Sequence, residues 1–415
     1  MLRIVASFLG CVSTSGLEEG VPPAPADPDD GEEFAPFDPP RAPRDATPPV
    51  AGPGRDGPLP EDPEDGDILY ATDAVHDIRV VLSEDAIASL RDTPDLDVPA
   101  TLTWAGQDLD VALRLKGSAS ARPIDGKPSF KIDVHEFDAD QRVDGAKRLT
   151  LNNMVQDRTM LREHSYYWLA ARLGLPAPRH AYANVWVNDV RYGLYGVVET
   201  MDEQFIARAF ADDTQGNLYE GANAADFTRE NGWFVLDEIG SVFPAPDDMG
   251  LLIDTVVASR DGDRGAMLTE NFDLETALTY WALDIVSGNP DGYVYNHHNY
   301  HAYHAPVAER WFLVPWGTDL SFLQVDLPPD GNAEHPVRGE LMLACQSDPA
   351  CAEALNRRVG EVLAVLETEL LDFVEPAAAR IAADCQADPR REEACDPEAM
   401  WRFIAERPAF LRGFL

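Results

Sequence analysis

The sequence predicts an α+β fold in two lobes, a β-rich N-terminal part followed by a helical C-terminal part. Three observations predict it. From Asp67 to Thr200 apolar and polar residues alternate in short runs, the period of half-buried strands. Turn-forming pairs, Ala105-Gly106 and Asn188-Asp189, break two of these runs into hairpins. Beyond Phe272 the apolar spacing changes to that of helices. The chain has 415 residues, 45% of them hydrophobic, enough for one large core or two ordinary ones.

Order is expected to begin near Asp67. "HDIRVVLS" reads as a strand, and "SEDAIASLRD" as a short helix with Ser83 as its N-cap. "ATLTWAGQDLDVALRLKG" is a hairpin; "PSFKIDVHEF" and "KRLTLNN" are further strands. "RTMLREHSYYWLAARLG" is a helix closed by Gly174. "AYANVWVNDVRYGLYGVVET" is the second hairpin, "MDEQFIARAFA" a helix and "GNLYEG" a short strand. In "FDLETALTYWALDIVSG" the residues Leu274, Leu278, Trp281 and Ile285 share one helical face. The stretch from Cys351 to Cys385 gives one or two long helices. Two lobes imply a cleft between them, where ligand sites tend to lie.

The formal net charge of −40 excludes nucleic acid as a natural partner, because phosphate neutralisation needs Lys and Arg. A cationic protein partner fits better. Residues 1–17 carry one Arg, a short apolar run and Cys11, an order that resembles a bacterial lipobox. Lipidation at Cys11, and hence a membrane anchor, is the first expectation; ordinary secretion and a cytoplasmic chain are the alternatives. Residues 18–66 are dense in Pro, Asp and Glu and read as a disordered tether. The ordered domain is then 67–415, and a monomer is expected. Cys345, Cys351, Cys385 and Cys395 allow two disulfides in three connectivities. Cys345–Cys351 and Cys385–Cys395 are the expected pairs, within a helical part spanning 340–415. Their spacing does not suit zinc.

The stretch from Ser287 to Phe322 holds the chemistry-bearing residues. Asp291 follows a Gly-Asn-Pro turn, and Asp319 follows Trp-Gly-Thr at the end of a strand-like run. Two carboxylates flanking a hairpin suit a metal site, a phosphoryl-transfer site or a plain structural hairpin. His297, His298, His301 and His304 alternate between two strand faces, so four ligands to one metal are not expected. No Gly-x-Ser-x-Gly and no Walker-A loop occurs.

Six blocks, in order, resemble the CotH (spore coat protein H) kinase-like family. "LRLKGSAS" is similar to that family's Arg-Gly-x-x-Ser block, with Lys116 in the Arg position, and "GKPSFKIDV" to its Lys-x-x-aromatic-Lys strand. "RLTLNNMVQDRTMLREHSYYWLAARLGLPAP" and "ANVWVNDVRYGLYGVVETMDEQF" are the most specific matches, and "GNLYEG" follows in its place. The stretch from Asp291 to Asp319 resembles the Asp…Asn-Tyr-x-x-Tyr…Pro-Trp-Asp-x-Asp block, except that Gly317 stands where the first of the two last acids belongs. The resemblance implies a divergent two-lobed protein-kinase-like fold. It further implies transfer of phosphate from ATP, with Mg²⁺ or Mn²⁺, to Ser or Thr of exported proteins. A degenerate relative that only binds or builds a surface is the alternative.

Within that resemblance, Lys131 is the expected phosphate cation, since it points away from the face of Phe130 and Ile132. Lys116 and Lys127 are the runners-up. Ser118 and Ser120 are placed to meet phosphates, and Glu199 to pair with the Lys or sit near the nucleotide. Asp291 is expected to position the acceptor hydroxyl. Asp319 is expected to hold metal with Asn299, or with Asn296, which has the Asp-x4-Asn spacing of kinase loops. Glu220 stands where relatives often carry a base, and would repel phosphates if it faced them.

Overall fold

The computed structural model describes residues 68–221, 224–238, 240 and 248–415, within one compact unit covering Asp62–Leu415. Cys11 and the segment 18–66 lie outside the described residues. The elements in chain order are β1 (Val75–Leu82), α1 (Glu84–Asp92), β2 (Val98–Trp104), β3 (Gln107–Lys116), β4 (Ser129–Asp133), β5 (Arg148–Asn152) and α2 (Arg162–Arg172). Then come β6 (His180–Val187), β7 (Val190–Val198), α3 (Glu203–Ala209), β8 (Asn217–Glu220), β9 (Val235–Glu238), α4 (Asp248–Ala258), α5 (Arg264–Asn271) and α6 (Leu274–Val286). The rest are α7 (Tyr293–Asn296), β10 (Tyr300–Ala305), β11 (Arg310–Pro315), α8 (Glu340–Ser347), α9 (Pro349–Val365), α10 (Leu371–Gln386) and α11 (Glu398–Leu411). The mixed α+β class and the β-rich front with a helical back are as the sequence predicts.

The first lobe is a closed barrel in the order β1-β2-β3-β4-β5-β7-β6, sealed by a parallel pairing of β6 with β1. Alternation drives it. In β1, Ile78, Val80 and Leu82 point inward while Asp77, Arg79 and Val81 point out. Phe130, Ile132, Leu149, Leu151, Val185 and Val197 fill the interior. The turn at Ala105-Gly106 has positive φ at both residues, as does Asn188-Asp189, the geometry that two-residue hairpins need. Ser83 caps α1 by accepting from the Ala86 amide at 3.0 Å.

The second lobe is built around α6. The face predicted for it is too narrow: Ala277 through Val286 are all buried, so the helix is a central spine. A second sheet, ordered β11-β10-β8-β9, adjoins it. The long C-terminal helix runs from α9 into α10 through a π-helical turn at Leu366–Leu370. Both expected disulfides are present, Cys345–Cys351 and Cys385–Cys395. The fully buried Arg407 of α11 donates to the Val286, Val325 and Leu327 carbonyls. It therefore ties the C-terminal end of α6 to the chain that follows Asp319, and so fixes both edges of the 287–322 stretch. Among the described residues no helix is long and apolar enough to cross a membrane.

Candidate functional site in the cleft between barrel and helices

The Asp291 loop is rigid because α6 reaches over to hold it. Asp284, near the end of α6, accepts from Tyr166 Oη at 2.8 Å and from Asn289 Nδ2 at 3.0 Å. Burial pushes the Asp284 carboxyl up to about 7. Gly292 must be glycine here, because a Cβ would lie 2.4 Å from Asp284 Oδ2. The short α7 then turns out through His297 and Asn299, both in the left-handed region. This returns the Asn296 and Asn299 side chains onto Asp291. Asn296 Nδ2 donates to one carboxylate oxygen at 2.7 Å and Asn299 Nδ2 to the other at 2.6 Å. The two asparagines, read as alternatives in sequence, act together. With their N–H groups on Asp291, their amide oxygens remain as acceptors.

Asp319 stands opposite. Gly317 takes a positive φ of 55° after β11, and a Cβ there would meet Asn299 Oδ1 at 3.0 Å. Desolvation, with the negative charges of Glu163, Asp157 and Asp291, pushes the Asp319 carboxyl up to about 7. The barrel supplies the cation side. Lys116, at the end of β3, donates to Asn152 Oδ1 at 2.8 Å. Asn152 Nδ2 donates in turn to both Glu163 oxygens, at 2.9 and 3.2 Å. Glu163 lies in the first turn of α2, and burial raises its carboxyl above the usual range. Desolvation pulls the Lys116 ammonium down to about 8, although Glu163 works against this.

These groups line one cleft of about 650 Å³, together with Ser118, Ser120 and Asn153. An adjoining hollow of about 330 Å³ shares Lys116, Glu220 and Trp316 and contains Lys131, Thr150 and Thr200. The structure thus brings Lys116, Lys131, Ser118, Ser120, Asp291, Asn296, Asn299 and Asp319 to one connected space. Lys131 points outward from between Phe130 and Ile132, as its parity requires.

Two expectations are corrected. Glu199 lines neither hollow: Arg179 Nη2 at 2.8 Å and Arg208 Nη2 at 2.6 Å hold its carboxylate. Lys127 is not a phosphate cation but a buried partner of Asp388, at 2.7 Å. Glu163, Asn152 and Asp284 escaped the sequence reading. An acid inside a helix as apolar as "LREHSYYWLAA" was the available signal for Glu163.

Glu220 does face the cleft. With Asp237 and His301 it forms a set of donors within 4.8 Å of one another. His301 Nε2 pairs with Asp237 at 3.0 Å, while its Nδ1 is buried without a partner. A metal-bound imidazole needs an acceptor at its second nitrogen, so this set suits a hydrogen-bonded His301–Asp237 pair better than a metal. His304 stacks on Trp311 at 4.4 Å and binds Asp248, and His297 bonds the Ala224 carbonyl. The histidines are dispersed rather than gathered.

Among curated proteins, Inner spore coat protein H of Bacillus subtilis (strain 168) is 23% identical over 250 residues, covering 55% of this chain and 63% of that protein. Invasin CotH3 of Rhizopus delemar is 23% identical over 198 residues, covering 44% of this chain and 33% of that protein. Invasin CotH2 of the same fungus is 23% identical over 261 residues, covering 58% and 43%. The chain therefore spans less than two thirds of the length of each. Two solved structures show weak likeness. The Helicobacter pylori proinflammatory kinase CtkA has a TM-score of 0.27 at 11% identity, covering 75% of this chain and 90% of that one. The golgi casein kinase has a TM-score of 0.31 at 10% identity, covering 80% and 76%. Neither score is high enough to carry an argument. The family profile described as CotH kinase protein matches residues 113–411, which take in every cleft residue named above, and the chain belongs to the CotH family.

Proposed function

We propose that this protein is a phosphotransferase that uses ATP and Mg²⁺ or Mn²⁺ to phosphorylate Ser or Thr hydroxyls of exported or cell-envelope proteins. One observation carries the reading: Asp291, Asn296, Asn299 and Asp319 meet Lys116 and Glu163 in one cleft, where burial, with the negative charges of Glu163, Asp157 and Asp291, pushes the Asp319 carboxyl up to about 7. Such crowding is relieved by a cation. Asp319 with the amide oxygens of Asn299 and Asn296 is a hard oxygen donor set that fits Mg²⁺, which needs only one or two carboxylates beside phosphate and water. ATP and its metal supply the transferable phosphoryl group and screen its charge.

Phosphoryl transfer otherwise asks for positioning and electrostatics. Lys116 on β3 is joined to Glu163 on α2 through the Asn152 amide, an indirect counterpart of the direct strand-lysine and helix-glutamate pair of protein kinases. Lys131 adds a second positive charge in the adjoining hollow. Ser118 and Ser120 offer hydroxyls to phosphate oxygens from the rim. Asp291, with each oxygen already accepting one N–H, keeps lone pairs for the acceptor hydroxyl. A net charge of −40 suits a cationic substrate protein. Lipidation at Cys11 is part of the same proposal, as the anchor that keeps the domain at a membrane.

A noncatalytic surface-binding role is the second reading. It is favoured by Gly317, which leaves one acid fewer, and by Glu220, which faces the cleft. Incubation of the full chain with labelled ATP and Mn²⁺ or Mg²⁺ separates the two. Label on the wild type, lost in Asp319→Ala and in Lys116→Ala, is the expected result. No label, with no metal-dependent ATP binding by calorimetry, would leave the second reading standing alone.

A further inference from the structure

The Gly117–Lys127 segment rims the cleft with Ser118 and Ser120, and it is gripped from behind by a loop from the other end of the chain. That loop is closed by Cys385–Cys395, ten residues apart, at the end of α10. Three alternate residues do the gripping. Asp388 Oδ2 accepts from Lys127 Nζ at 2.7 Å and from the Leu194 amide at 2.9 Å. The guanidinium of Arg390 lies 3.6 Å over the Tyr192 ring and donates to the Asp125 carbonyl at 2.8 Å and to that of Gly126. Glu392 Oε2 accepts from Arg122 Nη2 at 2.7 Å. The barrel wall is notched for this contact. Gly193 has a φ of 127°, and a Cβ there would lie 2.2 Å from Asp388 Oδ1. On the cleft side Asn153 Nδ2 holds the same segment, donating to the Ser120 carbonyl at 2.9 Å and the Lys127 carbonyl at 2.7 Å.

We infer that the Cys385–Cys395 loop is a redox-dependent clamp: oxidised, it presses Asp388 into the barrel and fixes the Ser118–Ser120 rim; reduced, it releases that rim. The physical reason is the burial of the Lys127–Asp388 pair, whose side chains are 1% and 0% exposed. Removing two charges from water is costly and is offset only when the geometry is held. The disulfide holds it by restricting the loop before the pair forms. A dithiol reduces the bond in a two-electron exchange: the protein disulfide becomes two thiols and the dithiol becomes its cyclic disulfide. The freed loop then lets both charges return to water. Cys395 is half-buried and its partner Cys385 is buried, whereas both Cys345 and Cys351 are buried in the helical lobe. A clamp of this kind keeps the rim loose in a thiol-reducing cytoplasm and sets it only in an oxidising compartment. The link from rim to nucleotide rests on the proposed phosphotransferase reading; the clamp itself does not.

Two readouts on the full chain keep them apart. Hydrogen exchange by mass spectrometry follows the rim directly. Dithiothreitol treatment, the double variant Cys385→Ser with Cys395→Ser, and Asp388→Asn are each expected to speed exchange at 117–127 well beyond any rise in α6 and β10. The double variant Cys345→Ser with Cys351→Ser is expected not to do so. Unchanged exchange at 117–127, or a rise spread over the whole chain, overturns the clamp. Calorimetry with Mg·ATP is the second readout, with an expected loss of affinity of about ten-fold in the three loosened forms. Equal affinity in oxidised and loosened forms overturns the link to nucleotide. Should no form bind ATP, the phosphotransferase reading falls and the exchange data alone decide the clamp.

Discussion

Two buried ionic clusters meet the barrel, and they are built in opposite ways. In the first, Lys127 and Asp388 face each other at 2.7 Å, and backbone amides of Leu194 and Arg390 complete the carboxylate. Charge and hydrogen bonds both close. In the second, Lys116 stands against Glu163, Asp319, Glu220 and the neighbouring Lys131, with Asn152 between it and Glu163. Acids outnumber their cations: desolvation, helped by the neighbouring acids, lifts the Asp319 carboxyl to about 7, and desolvation pulls the Lys116 ammonium down to about 8 against the pull of those acids. A closed pair stabilises the chain as it is. An open cluster keeps its charges for something that arrives.

The sharpest way to break this comparison is to remove one member of the closed pair. Lys127→Met leaves Asp388 buried and unpaired and is expected to lower stability by about 3–5 kcal/mol in urea unfolding. Lys131→Met, in the cleft, is expected to change stability by less than about 0.5 kcal/mol while weakening Mg·ATP binding in calorimetry. The same loss in both variants would erase the distinction.

Asp319→Asn tests the open cluster from the other direction. The folded-state value of Asp319 lies above its unfolded one, so the folded chain binds the extra proton. Its contribution is neutral below the unfolded value, about 4, and becomes unfavourable as pH rises to about 7. In metal-free buffer the variant is therefore expected to gain about 4 kcal/mol over wild type at pH 8 and little at pH 4. Stability curves in urea at the two pH values check this, and a gap that shrinks with rising pH would refute it.

The effect of Lys116 should show in binding. With the ammonium at about 8, its charged fraction falls about ten-fold between pH 7 and pH 9. Nucleotide affinity measured by calorimetry is expected to fall with it in wild type and to stay flat in Lys116→Arg. The smallest effect belongs to Glu220→Gln. Removing a like charge from the wall shared by both hollows is expected to tighten ATP binding by about three- to five-fold, read by the same titration.

Much of the fold was legible because its determinants are local. Alternation marked the barrel strands, positive-φ pairs marked both hairpins, and close cysteine spacing marked the disulfides. Asp291 and Asp319 were legible because a turn and a strand end frame each one. Lys131 was legible by strand parity. Lys127 was not, because β4 begins at Ser129 and parity does not reach back into the preceding loop. Its partner lies 261 residues away. Glu199 looked like a free strand end because Arg179 and Arg208 reach it only after folding. β9 and α5 are short and carry no clear period, whereas α4 keeps helical spacing in its buried Met249, Leu252, Ile253 and Val256, a signal legible in the sequence but not used.

The backbone at Gly317 has a consequence for anyone wishing to reinstall the absent carboxylate. The residue is left-handed, a region that Asp tolerates, but the first atom added would press on Asn299 Oδ1 at 3.0 Å. Asn299 has little freedom to yield, since its other amide atom holds Asp291. A Gly317→Asp substitution therefore adds a carboxylate only as far as Asn299 gives way by a few tenths of an ångström, so a second acid at this site trades against the grip on Asp291.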